Sequence, residues 1–119
     1  MHVMEDPMNH YDYVLITPDN FEREVLESPI PVLLQFYTKQ DDPLSDPSVL
    51  REFGSRLRVG RVDLDDEDNR TIAEFYGIGD APASLMVRPG GYPVPVALGD
   101  HPIAELSWQL DAAFHWATT

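Results

Sequence analysis

The run VLLQFY at 32–37 is apolar at nearly every position, the pattern of a central strand covered on both faces. Shorter runs flank it. YVLIT (13–17) reads as a strand, and Thr17-Pro18-Asp19-Asn20 reads as a helix start, with Thr17 as N-cap and Pro18 at the first helical position. Phe21, Val25 and Leu26 would form that helix's apolar stripe, ended by Ser28-Pro29. LRVGRVDL (57–64) alternates apolar and polar residues, as a third strand does. ASLMV (83–87) is a fourth, and Pro89-Gly90-Gly91 turns it back into YPVPVAL (92–98). Pro93 and Pro95 cannot donate to a ladder, which puts that last strand at a sheet edge.

Helical signals fill the gaps. Asp46-Pro47 pairs a cap with a first-turn proline and opens a helix through Val49, Leu50 and Phe53 to Gly54. DDEDNRTIAEFYG holds a short helix, capped by Asp68 or Asn69 and ended at Gly77. Asp100-His101-Pro102 begins a final one, with Ile103, Leu106, Leu110 and Phe114 on one face. The order is β-α-β-α-β-α-β-β-α, which implies an α/β domain of three α/β/α layers around a mixed central sheet. Residues 1–12 show no periodicity and read as a flexible arm, with one domain over 13–116. A chain of 119 residues holds one such core and not two.

Charge changes the picture. Twenty-one acids face eight bases for a net −13, and Lys39 is the single lysine. Such a surface repels nucleic-acid phosphates and favours a basic partner, or serves solubility alone. There is no cysteine, hence no disulfide, thiolate nucleophile or Cys-based metal site. No apolar run approaches the roughly 20 residues of a membrane span, and MHVMEDPMNHYD lacks the basic start and apolar stretch of a secretory signal. The expectation is a cytoplasmic protein.

The candidate chemistry is acidic. Asp41 and Asp42 share a loop after the central strand, while Asp63, Asp65, Asp66, Glu67 and Asp68 follow the third. A calcium loop of the EF-hand type needs a glycine at its sixth position and a distal glutamate, which this run lacks. It reads as a solvated loop favouring a helix N-terminus, or as an arginine-docking patch. His2, His10, His101 and His115 are scattered without zinc spacing, and no Ser–His–Asp arrangement can be argued. No catalytic residue, cofactor or metal is expected, and an enzyme using the Asp41-Asp42 carboxylates is the least favoured reading. Gln35, alone among apolar neighbours, reads as a buried amide satisfied by backbone or water.

The order and residues 13–114 resemble the thioredoxin fold. VLLQFYT resembles the strand leading to its redox site, and YGIGDAP the segment ending in its cis-proline, which would be Pro82. The resemblance sets the two redox cysteines at Asp41 and Leu44, keeps Pro43 between them, and sets the buried acid at Gln35. Disulfide exchange cannot run on those side chains. A narrower resemblance joins RPGGYPVPVALGDHPIAEL and SDPSVLREF to the cysteine-less thioredoxin-like accessory proteins of nickel–iron hydrogenase operons, the HyaE/HupG family. Gly91-Tyr92, Gly99, His101-Pro102 and Ala104-Glu105-Leu106 carry it; the longer N-terminal extension of that family is not present.

That resemblance implies a chaperone for the hydrogenase small subunit precursor, contacting its basic twin-arginine export signal. Asp41, Asp42, Leu44, Asp80, Ala81 and Pro82 would then border a peptide groove, with Asp65, Asp66 and Glu67 as a second acidic contact. Asp46 stays an ordinary helix cap. The alternative is a redox-inactive scaffold or subunit of another complex.

Overall fold

The computed structural model describes residues 13–42, 53–94 and 107–118. Among these residues four strands form one mixed sheet in the order β1-β3-β2-β4: Tyr13–Leu15, Arg58–Asp63, Val32–Tyr37 and Ala83–Val87. β3 runs parallel to both β1 and β2, while β4 is antiparallel to β2. The continuous apolar run of β2 is explained by its place between β3 and β4, where Val32 to Phe36 are all buried.

Alternation along each strand makes two cores. Leu33, Val59 and Met86 face one way, against Phe53, Leu57 and the C-terminal helix Ser107–Thr118, which contributes Leu110, Ala113 and Ala117. Val32, Leu34, Phe36 and Val62 face the other way, against Ile16, Val25, Ile72 and Ala73. Helices on both faces make the layered α/β arrangement that the order of elements implied. Gly60 is where the second layer lies closest to the sheet: a Cβ there would stand 2.8 Å from Ile16 Cγ1.

Local chemistry moved two helix starts. Thr17 does not cap with its side chain. Instead Asn20 Oδ1 accepts from Thr17 N–H at 2.8 Å, and Asn20 Nδ2 donates to Leu15 O at 2.9 Å, holding a turn before the π-helical segment Glu22–Leu26. An asparagine side chain that bonds its neighbouring backbone competes with helix propagation in this way. In the acidic run the capping side chain is Asp66, accepting from Asp68 N–H at 3.0 Å, rather than Asp68 or Asn69. It opens a 3₁₀ turn, Glu67–Asn69, that feeds the helix Arg70–Phe75. Asn69 is buried and donates to Asp63 O at 3.0 Å, which ties the turn to β3.

The hairpin turn forms as expected: Gly90 and Gly91 take φ of 102° and 92°, a region that side chains disfavour, and Gly91 N–H reaches Arg88 O at 2.9 Å. Pro93 bridges Val87 and Val94 N–H donates to Met86 O, so the returning segment begins to pair at the sheet edge. The remainder of YPVPVAL, the arm before Tyr13, most of the Asp46–Gly54 helix and the start of the last helix lie outside the described residues.

Candidate functional site

The parallel strands β2 and β3 release their loops at the same end of the sheet, and antiparallel β4 begins there. Phe36 lies beside Ala83, so the segment ending at Pro82 meets the loop after Tyr37. The Ala81-Pro82 peptide bond is cis. Asp41, Asp42, Asp80, Ala81 and Pro82 therefore lie at one end of the sheet, with Asp65, Asp66 and Glu67 on the loop after β3. Leu44 and Asp46 fall outside the described residues.

Loop 38–42 is built by its own bonds. Thr38 N–H donates to Asp41 O at 2.8 Å, and Asp41 N–H donates to Thr38 Oγ1 at 3.0 Å. Asp65 Oδ2 accepts from Lys39 N–H at 2.9 Å, pinning this loop to the next one. Between them an open cavity of about 500 Å³ is lined by Thr38, Lys39, Gln40, Asp41 and Asp65.

Most of the predicted acids are committed to structure. Asp42 accepts a short bond from Arg61 Nη2; Arg61's side chain is only 10% exposed. The Arg61 guanidinium also lies 4.3 Å from the Tyr37 ring centroid and 5.8 Å from that of Tyr13. Asp42 is therefore not an open receptor for a partner's arginine, because one from its own chain already holds it. Asp65 holds Lys39, Asp66 caps the 3₁₀ turn, and Asp80 Oδ1 accepts from Ala81 N–H at 3.0 Å. That last bond engages the backbone N–H of Ala81, beside the cis-proline. Among the described residues, the carboxylates of Asp41 and Glu67 make no such bond, and both residues are exposed.

Arg61 is the residue that the sequence reading missed. Alternation placed it on a polar face, whereas the register sets it level with Leu15 on β1 and Gln35 on β2, in mid-sheet. One signal was available: a cation inside a strand of a chain with so few. Arg61, Gln35 and Ser84 occupy one row across β3, β2 and β4, all buried. Both amide atoms of Gln35, Ser84 Oγ and Arg61 Nε find no hydrogen-bond partner among the described residues, so no described backbone group satisfies Gln35 as expected. Burial first, and then the Asp63 charge, raise the Tyr37 phenol above its usual range, with Arg61 opposing. No group of His, Asp and Glu suited to a metal occurs among the described residues, and none of their helices is long and apolar enough to cross a membrane.

A mixed sheet between helical layers, with a cis-proline facing the loop after the central strand, defines a thioredoxin-like α/β fold. The chain belongs to the thioredoxin family. Thioredoxin 1 of a Nostoc species is 30% identical over 102 residues, covering 81% of this chain and 92% of that protein. Thioredoxin 1 of Synechococcus elongatus is 31% identical over the same length, and the Streptomyces clavuligerus thioredoxin 33% identical over 95 residues, or 76% of this chain and 86% of that protein. No protein-family model matches the chain. With no cysteine among its residues, this member has no thiol with which to exchange a disulfide.

Proposed function

We propose that this thioredoxin-family chain acts by binding rather than by catalysis, as a cytoplasmic chaperone in nickel–iron hydrogenase maturation. Its partner would be the hydrogenase small subunit precursor, held through the basic twin-arginine export signal. The reading places the chain with the HyaE/HupG accessory proteins and rests on the C-terminal motif residues given above. The single observation that carries it is the exposed Asp41 carboxylate beside an open cavity, in the loop where a redox pair would sit.

On this reading Asp41 receives one arginine and the exposed Glu67 is a further acidic contact, and charge-assisted pairing of guanidinium with carboxylate supplies orientation. Asp42 and Asp65 act indirectly, by holding the loop that presents Asp41. Calorimetry with the small subunit's signal peptide is the test. Binding at low salt that weakens when Arg–Arg becomes Gln–Gln, and when Asp41 becomes Asn, supports the reading; no binding, or indifference to both changes, overturns it. The comparisons reach the thioredoxin family and stop there, which leaves a scaffold in another complex as the second reading; recovery of a non-hydrogenase partner by co-purification would favour it.

A further inference from the structure

The opposite end of the sheet carries a surface of another kind. An open groove of about 730 Å³ lies where four pieces of chain converge: the Pro29-Ile30-Pro31 segment before β2, the Gly54–Arg56 turn, the Arg88-Pro89 turn and the end of the C-terminal helix. Ile30, Phe114 and Ala117 give it apolar walls. Among the described residues that line it there is no carboxylate, in a chain of net charge −13.

Two guanidiniums stand on this groove. Arg56 is oriented: its Nε donates to Phe53 O at 3.1 Å, and its carbon lies 5.5 Å from the centre of the Phe114 ring. Arg88 is anchored through its backbone, whose N–H donates to Tyr92 O at 2.7 Å. Its side chain is exposed and has no ion-pair partner among the described residues.

We propose that this groove is a second binding site, for an acidic segment of a partner protein in which carboxylate side chains alternate with apolar ones. The carboxylates would meet Arg88 and Arg56, and the apolar side chains would lie on Phe114 and Ile30. Charge complementarity selects this occupant. Long-range repulsion by the rest of the chain disfavours anions in general, so an anion is held only where local guanidiniums and an apolar wall act together. Prolines at 29, 31 and 89 fix the walls, so little order is lost on docking. The site lies across the sheet from Asp41 and does not rest on the function proposed above; a basic segment there and an acidic one here can be held at once.

The test uses the whole chain, ¹⁵N-labelled, and the capped peptide acetyl-Leu-Glu-Phe-Glu-Leu-amide, with its Gln-for-Glu counterpart as control. The expected result is saturable shifts at Ser55, Arg88 and Thr118. Arg88→Gln should weaken binding about tenfold, the loss of one charge-assisted bond, while the thermal midpoint stays put, and the Gln peptide, lacking both carboxylates, should bind at least about tenfold more weakly. Absence of saturable shifts, equal response to both peptides, indifference to Arg88→Gln, or shifts confined to residues 38–42 would each overturn the proposal.

Discussion

At the carboxyl ends of β2 and β3 carboxylates are abundant and mostly engaged: Asp42 by Arg61, Asp65 by Lys39, Asp66 by Asp68 and Asp80 by Ala81. Across the sheet the described lining of the groove carries two cations, and one of them, Arg88, has no ion-pair partner among the described residues. Charge density and availability are therefore different quantities. A cluster of acids advertises a basic partner, but much of its capacity closes loops. At the sparser end Arg88 is exposed.

The contrast can be broken at its strongest point first. Arg61→Ala should cost about 2–3 kcal/mol in urea unfolding, since it strands Asp42 and removes a nearly buried stem packed on Tyr37; Asp42's own exposure keeps the loss below that of a fully buried pair. A loss within about 0.5 kcal/mol, the range of ordinary surface changes, would mean the pair holds nothing.

Towards the groove end one structural tie is a phenol. Tyr76 donates to Gly91 O at 2.8 Å, and burial raises its pKa from 10.0 to about 12. Below pH 10 it is protonated in both states and contributes fully. Between about pH 10 and about 12 the unfolded chain releases the proton first, so stability should fall across that window. Tyr76→Phe should cost about 1 kcal/mol at neutral pH and remove that part of the alkaline loss, read by denaturation at stepped pH.

Two smaller comparisons sharpen the point. Asp65→Ala removes the acceptor for Lys39 N–H and should cost about 1 kcal/mol. Asp41→Asn and Arg88→Gln should each leave stability within about 0.5 kcal/mol, because both residues are exposed and neither side chain is hydrogen-bonded or ion-paired among the described residues. If Asp41→Asn destabilised as much as Asp65→Ala, the division between engaged and available acids would fail.

Strand β2, the turn at Pro89-Gly90-Gly91 and the helix end at Gly77 were legible because their causes are local: an unbroken apolar run, or residues that tolerate positive φ. The cis bond at Pro82 was legible only through resemblance. Helix starts were read less well. Thr17, Asp68 and Asn69 were each plausible caps; instead the first helical segment has no side-chain cap, Asn20 binding Thr17 N–H in the turn before it, and Asp66 caps the later turn.

The candidate site divides in the same way. Which end of the sheet carries the acids follows from sequence order, since loops after parallel strands gather at one end. Which acids remain open does not follow, because Asp42 and Arg61 are 19 residues apart and meet only once β3 lies beside β2. By itself the sequence determined a layered α/β domain, the absence of any thiol and an acidic loop where a redox pair would stand. The tertiary structure decided that Arg61 is an interior residue, that it pairs with Asp42 and not with Asp41, and that Arg56 and Arg88 share one groove. The reason is physical: composition and periodicity set what each segment can bury, while pairing between distant side chains depends on strand register and on distances that only the assembled sheet defines.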